Sequence, residues 1–186
     1  MSVLVETTAP LNLRTLARLA DVSPAQASRV MPGLVDLGIV ERYEVPPSSQ
    51  FLLDRSNVAA QAVIGLARSR ETASERIGLA AAAMTTPRES VILSGALSRG
   101  EAGVESDIDV VVIRADSTNV DDEHWSAALK SWRNEARAIT GDSVEVVEVS
   151  LGEVGSKMRG RIEFWQNVRR EGVTVQGSAS TRSPSQ

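Results

Sequence analysis

The stretch that decides the fold reads SGALSRGEA at residues 94–102 and SDIDVVV at residues 106–112. It follows a short apolar run, so Gly95 stands where a strand ends and a helix begins. Because glycine has no Cβ, backbone N–H groups there can approach a phosphate, which the start of a helix also attracts. The spacing from Gly95 to Gly100 imitates a P-loop, but Glu101 occupies the position where that motif needs lysine, and a P-loop is excluded.

Two acidic residues open the strand that follows this loop. Asp107 and Asp109 are two positions apart, and alternation along a strand places both carboxylates on one face. Two neighbouring carboxylates repel each other unless a cation lies between them. The sequence has no cysteine and one histidine, His124, which excludes a zinc site. The acid pair therefore predicts a hard cation, Mg²⁺ or Mn²⁺.

A third carboxylate is expected from a neighbouring strand. Residues 144–149 alternate as a strand, and Glu145 is the best candidate in it. The same alternation turns Glu148 to the opposite face. An exposed strand residue with no metal role is an equally good interpretation of Glu145.

Residues 95–112 resemble the signature of the DNA polymerase beta-type nucleotidyltransferase superfamily in its minimal form. The run FWQNVRREGV at residues 164–173 resembles the C-terminal end of these domains. The resemblance covers about residues 85–177 and implies transfer of a nucleoside monophosphate from Mg²⁺–NTP to a hydroxyl, with release of pyrophosphate. It implies that the catalytic and metal-binding acids are Asp107, Asp109 and Glu145. It further implies that the nucleotide is bound by Gly95, Ala96, Ser98 and Arg99.

The sequence departs from that signature at two positions. Ala96 replaces a serine, which removes one hydroxyl donor to phosphate, and Glu145 is one methylene longer than the usual aspartate. An alternative is therefore a degenerate domain that binds nucleotide with poor turnover.

Residues 11–55 have the pattern of a second unit. Leucines recur at helical spacing before residue 20, and Ser23-Pro24 is a typical start for a second helix. That helix is expected to end at Gly38, with Pro32 kinking or shortening it. Residues 39–45 alternate as a strand, residues 46–49 predict a turn, and residues 50–53 form its partner. Helix, turn, helix and hairpin is the order of a winged helix-turn-helix.

The segments LARLADVS (16–23), ASRV (27–30) and LVDLGIV (34–40) resemble the helix-turn-helix and wing of bacterial transcription regulators. Such domains usually begin with a further helix, for which only about ten residues are present here. The resemblance implies DNA contacts by Gln26, Ser28 and Arg29. Residues 11–55 hold five arginines and five acidic residues, so the phosphate contacts favour a homodimer on two half-sites. A wing domain that binds protein instead is the alternative.

The chain is therefore expected to belong to the α+β class, with a winged helix-turn-helix before a minimal nucleotidyltransferase α/β domain with a mixed sheet. The first domain spans residues 1–56. The second spans residues 57–177 and begins with a long linker helix over 58–84. Residues 178–186 are serine-rich and are expected to be a disordered tail. The strands of the second domain are expected at 91–93, 108–113, 144–149 and 173–175, with helices at 121–139 and 151–168.

Composition limits the remaining possibilities. Of the 186 residues, 42% are hydrophobic and 24% charged, which suits an ordinary globular core. No apolar run approaches the ~20 residues of a membrane span, and residues 1–6 lack the features of a signal peptide. Together with the absence of cysteine, this predicts a cytoplasmic protein without membrane contact. The net charge of −4 argues against broad nonspecific binding of nucleic acid.

Three hypotheses follow. The first is a DNA-binding regulator whose second domain transfers a nucleoside monophosphate, in a self-modifying or toxin–antitoxin setting that the resemblance implies. The second is a non-catalytic transcription factor whose degenerate domain only binds nucleotide. The third is a protein-interaction module that binds neither nucleotide nor DNA.

Overall fold

The computed structural model describes residues 1–86, 88–99 and 107–177. The chain divides into two compact units, Met1–Ser69 and Arg70–Gln186. The sequence placed this division after residue 56, whereas the structure places it at Ser69. The predicted tail, 178–186, lies outside the described residues.

The N-terminal unit combines helices with a small antiparallel sheet in the strand order β1-β3-β2. Its elements are α1 (Ser2–Glu6), β1 (Leu11–Asn12), α2 (Leu13–Leu19), α3 (Pro24–Asp36), β2 (Val40–Val45), β3 (Ser48–Leu53) and α4 (Val58–Ala67). The two central helices and the hairpin lie where the sequence predicted them. The short helix α1 occupies the few residues ahead of them.

Side-chain caps fix the starts of these helices. Asn12 Oδ1 accepts the Thr15 N–H at 2.8 Å, and Ser23 Oγ accepts the Gln26 N–H at 3.1 Å. Gly38, with φ +68°, provides the left-handed turn after α3. Pro32 lies inside α3, and the helix continues through it to Asp36, so the expected shortening does not occur.

The predicted long helix over 58–84 is instead two helices, which separate at Arg68. The first of them, α4, buries Ala60 in the N-terminal core beside Leu4 and Val5, and packs Val63 against the same cluster. Helix α4 therefore belongs to the N-terminal unit.

The C-terminal unit is built on a sheet with the strand order β6-β5-β4-β7. Its elements are α5 (Ser69–Ala82), β4 (Arg88–Ser94), α6 (Gly95–Arg99), β5 (Ile108–Arg114), α7 (Glu123–Thr140), β6 (Val144–Ser150), α8 (Leu151–Arg159), α9 (Glu163–Glu171) and β7 (Val173–Gly177). Strands β5 and β6 are parallel, while β4 is antiparallel to both of its neighbours. The sheet is therefore mixed, as predicted.

Helices cover both faces of this sheet. On one face, Trp125 and Trp132 of α7 pack with Ile77 of α5 and with alternate residues of β5. On the other face, Trp165 and Val168 of α9 pack against the intervening residues of β5 and β6. The tryptophans that helical spacing assigned to the core are 1% and 2% exposed on α7, and His124 is on the surface as expected.

The predicted helix over 151–168 is also two helices, α8 and α9, separated around Gly160. Ser150 starts α8 and donates its Oγ–H and its backbone N–H to Glu153 Oε2, at 2.8 and 3.2 Å. These hydrogen bonds hold the pKa of Glu153 below its usual range. Among the described residues, no helix is long and apolar enough to span a membrane.

Candidate functional site

The predicted loop and acid pair meet at one end of the sheet. Strand β4 ends at Ser94, which lies opposite Asp109 in the antiparallel register with β5. One residue further, Gly95 forms an isolated bridge with Ile108. The start of α6 is therefore adjacent to the start of β5, where both aspartates lie.

Gly95 is required by its neighbour as well as by its backbone. Its φ is +73°, a conformation that L side chains rarely adopt. A Cβ added to Gly95 would lie 2.4 Å from Oδ2 of Asp109, and 3.2 Å from its Cγ. The half-buried carboxylate of Asp109 thus occupies the space that a side chain would fill. From the sequence, we interpreted Gly95 as a position where the backbone can approach a phosphate. In the structure, the space beside Gly95 that a Cβ would fill is occupied by the Asp109 carboxylate.

Asp107 is exposed and precedes β5. Its Oδ1 accepts a hydrogen bond from the hydroxyl of Ser143. The carbonyl of the same serine accepts the N–H of Ile108 at 2.9 Å. The sequence did not indicate Ser143, because only the parallel register of β5 with β6 brings it beside the acid pair.

Glu145 lies beside Asp109 in the parallel register of β6 with β5. Its side chain, however, pairs with Arg133 of α7, with Nη2 3.7 Å from Oε1. Among the described residues there is no group of three or more histidines or carboxylates that could hold a metal ion together. The structure thus brings Asp107 and Asp109 to one end of the sheet and leaves Glu145 with an arginine. Glu148 forms an ion pair with Arg114 at 2.8 Å, away from the acid pair.

The remaining loop residues have smaller roles in the described structure. Ser98 donates its hydroxyl to the carbonyl of Gly95 at 2.8 Å, which closes the turn of α6 locally. Leu97 is buried in the core beneath it. The side chains of Ala96 and Arg99 lie outside the described part of the structure, and so does Glu101.

The donor set fits the predicted cation. Among the described residues it consists of two carboxylates, of which that of Asp107 is exposed and that of Asp109 is half-buried. Mg²⁺ in proteins is commonly held by one or two carboxylates, while waters and substrate phosphates complete its shell. Asp107 and Asp109 are the residues that would hold Mg²⁺ or Mn²⁺, and a third protein carboxylate is not needed for binding.

In the N-terminal unit, the predicted DNA contacts Gln26, Ser28 and Arg29 are all exposed on α3. They do not share one side of the helix. Ser28 lines a groove of about 720 Å³ toward the hairpin, with Arg14 and Arg42. Gln26 lines a smaller cavity of about 150 Å³ toward α1.

No family model matches this sequence, and no curated protein is similar to it. The solved structures that match part of this chain include the following three. A toxin–antitoxin structure with AMP-PNP is 18% identical, with 57% of this chain and 75% of that chain covered and a TM-score of 0.40. A mutant of the toxin–antitoxin MntA–HpeT is 16% identical, with the same coverage and a TM-score of 0.41. A protein of Sulfolobus solfataricus assigned as a nucleotidyltransferase is 18% identical, with 61% and 84% covered and a TM-score of 0.35. What this chain does is therefore inferred from its own residues.

Proposed function

We propose that the C-terminal unit binds a magnesium–nucleoside triphosphate and transfers the nucleoside monophosphate to a hydroxyl acceptor. The single observation that carries this proposal is the packing of the Asp109 carboxylate over Gly95, with Asp107 at the same end of the sheet. Together with the loop sequence of residues 94–102, this packing supports a site in which two carboxylates lie beside the start of α6.

In the proposed reaction, the acceptor oxygen bonds to the α-phosphorus and the bond to the pyrophosphate oxygen breaks. A bound Mg²⁺ would neutralise charge on the triphosphate and on the departing pyrophosphate. Asp107 and Asp109 would hold that cation at the start of β5.

Glu145 is the proposed recipient of the acceptor's proton. In the structure it faces Arg133, and their side chains are 62% and 49% exposed. An exposed ion pair of this kind contributes only about 0–1 kcal/mol, so its opening costs little. Once free of Arg133, Glu145 lies beside Asp109 by strand register.

Nucleotide binding without turnover is the second candidate. Ala96 supports it, because a hydroxyl donor to phosphate is missing at that position. One missing hydrogen bond costs on the order of 1 kcal/mol. This is enough to slow transfer and too little to abolish binding that two carboxylates and a cation support.

We also propose that the N-terminal unit is a winged helix-turn-helix that binds DNA as a homodimer. Support comes from Arg29, which is exposed on α3 and forms no ion pair with another described residue. Arg14 lies in the groove between α3 and the hairpin. The acceptor of the nucleoside monophosphate would be a hydroxyl of a protein side chain, a small molecule or an RNA end. The resemblance implies a self-modifying or toxin–antitoxin setting for this transfer.

The nucleotide proposal is tested by calorimetric titration with each of the four NTPs, with and without Mg²⁺. We expect Mg²⁺-dependent binding that an Asp107→Asn/Asp109→Asn variant loses. An Asp121→Asn/Glu123→Gln variant removes the same charge near the start of α7 and should bind as the unchanged protein does. Labelled-NTP transfer then distinguishes an enzyme from a sensor. Absence of binding for all four NTPs would contradict both.

A further inference from the structure

One residue outside the loop motif holds the exposed member of the acid pair. Ser143 donates its hydroxyl to Oδ1 of Asp107, 36 residues earlier in the chain. Its carbonyl accepts the N–H of Ile108, the residue after Asp107, at 2.9 Å. Ser143 therefore contacts both the side chain of Asp107 and the backbone that follows it.

The backbone fixes Ser143 in this place. Helix α7 ends at Gly141, whose φ of +85° turns the chain, and the Gly141 N–H bonds to the carbonyl of Arg137 at 2.7 Å. The Asp142 N–H then bonds to Thr140 Oγ1 at 3.2 Å. From Val144, the residue after Ser143, β6 pairs in parallel with β5, in the register Ile108 with Val144. Hydrogen bonds to the end of α7 on one side and strand pairing with β5 on the other thus hold the turn that places the Ser143 hydroxyl at the start of β5.

The two aspartates are oriented by different means. Asp109 packs against Gly95, so its carboxylate is confined by contact. Asp107 is exposed and lies outside the strand, where a side chain ordinarily exchanges between rotamers. The hydrogen bond from Ser143 is the described contact that selects one of these rotamers.

We propose that Ser143 is a positioning residue for the metal: it fixes the Asp107 carboxylate so that the second oxygen is available to the cation. This inference rests on the proposed function, since it assigns the acid pair to a metal. Removing a hydrogen bond behind a metal-binding group typically changes metal affinity or activity by about 10–100-fold. Ser143 itself touches neither nucleotide nor metal in this role.

The test compares Ser143→Thr with Ser143→Val in the full chain. These side chains have nearly the same shape, and only threonine keeps the hydroxyl. The probe is Mn²⁺ alone, with the free ion measured by electron paramagnetic resonance. We expect the valine variant to bind Mn²⁺ on the order of tenfold more weakly, and the threonine variant to bind within about twofold of the unchanged protein. Ser156→Ala, which removes a hydroxyl from the exposed face of α8, is the control and should have no effect.

The outcomes separate this inference from the proposed function. If neither the unchanged protein nor the Asp107→Asn variant binds Mn²⁺, the metal proposal fails, and the inference about Ser143 fails with it. If Asp107→Asn loses Mn²⁺ while the valine variant keeps it, the metal site stands and the role of Ser143 is overturned. Equal weakening by valine and threonine would also overturn it, because the hydroxyl would then be irrelevant. Melting temperatures without metal should agree for the two variants, since they share shape and backbone bonds.

Discussion

The backbone of Gly95 and the side chain of Asp109 are packed so closely that the position of one depends on the other. The carboxylate of Asp109 fills the position above the glycine Cα, and Gly95 in turn has a backbone conformation suited to glycine. Gly95 therefore leaves the space that the Asp109 carboxylate occupies, although glycine itself has no functional group.

Substitution of Gly95 by alanine is expected to disrupt the acid pair. The new Cβ would lie 2.4 Å from Oδ2 of Asp109 at a φ of +73°, so the carboxylate has to move. We expect Mn²⁺ affinity to fall at least about tenfold and the free energy of unfolding to fall by about 1–3 kcal/mol. Manganese titration and urea unfolding measure the two effects.

Gly33→Ala provides the control for Gly95→Ala. Gly33 lies in α3, and a Cβ there meets nothing within 4 Å. Metal binding should therefore be unchanged in this variant. A Gly95→Ala protein that binds Mn²⁺ with its original affinity would show that the position of Asp109 is irrelevant to the site.

The loop glycine and the two aspartates of the candidate site could be predicted from the sequence, but the residues that contact the acids from α7 and from the start of β6 could not. Gly95, Asp107 and Asp109 are close in the chain, so strand alternation and loop chemistry were sufficient to predict them. Ser143 and Arg133 contact the acids only through the pairing of β5 with β6 and the packing of α7. No local pattern contains that register, and for this reason the hydrogen bond to Asp107 and the ion pair of Glu145 were not predicted.

Among the elements, α5 and β7 make an unusually close contact. Gly78 of α5 faces β7 so closely that a Cβ would lie 2.2 Å from the carbonyl oxygen of Val175. A backbone carbonyl cannot rotate away as a flexible side chain can. The absence of a side chain at Gly78 therefore sets the distance between this helix and the edge of the sheet.

Gly78→Ala is expected to destabilise the C-terminal unit by about 1–3 kcal/mol, because the helix must shift away from β7. Gly65→Ala is the matched control, since it is also a helical glycine but has open space around its Cβ position. There, alanine should stabilise α4 by up to about 1 kcal/mol through helix propensity. Urea unfolding measures both changes, and destabilisation of equal size in the two variants would contradict the packing argument.

Most of the strands and helices of this chain were predictable from hydrophobic periodicity, whereas β1 (Leu11–Asn12), which lies in a run predicted as helix, and the breaks within helical runs were not. The run over 58–84 is rich in alanine and has no proline, so nothing local marks Arg68 as an end. The break there reflects packing: Ala60 of α4 is buried in the N-terminal core, and Ile77 of α5 is buried in the C-terminal core. The run over 151–168 contains Gly160, a residue that often ends helices. Because apolar residues recur at helical spacing both before and after it, the run was predicted as one helix.

At the scale of the whole molecule, the division at Ser69 gives the N-terminal unit a balanced charge. Residues 1–69 contain six arginines and six acidic residues. A neutral surface provides little general attraction to DNA, so binding has to depend on a few placed arginines and on two copies of the unit.

We expect the protein to bind DNA from the region upstream of its own gene, with an affinity that falls as the salt concentration rises. Arg29→Ala should weaken binding and reduce the salt slope by about two, because each of the two bound units then neutralises one phosphate fewer. Arg68→Ala, which removes an exposed arginine beyond the end of α4, should leave the slope unchanged. Mobility shifts at several salt concentrations measure this. A shift that does not depend on salt, or no shift at all, would contradict the DNA proposal.

The contact between Asp107 and Ser143 also has a consequence for synthesis of the chain. Ser143 follows Asp107 by 36 residues, and the segment between them, which includes all of α7, must be made before the contact can form. At roughly 5–20 residues per second, the aspartates leave the ribosome about 2–7 s before the serine does. Throughout that interval the nascent chain carries its acid pair without the residue that orients Asp107. Firm binding of a cation is therefore expected only after β6 has paired with β5, and not as soon as the two aspartates have been made.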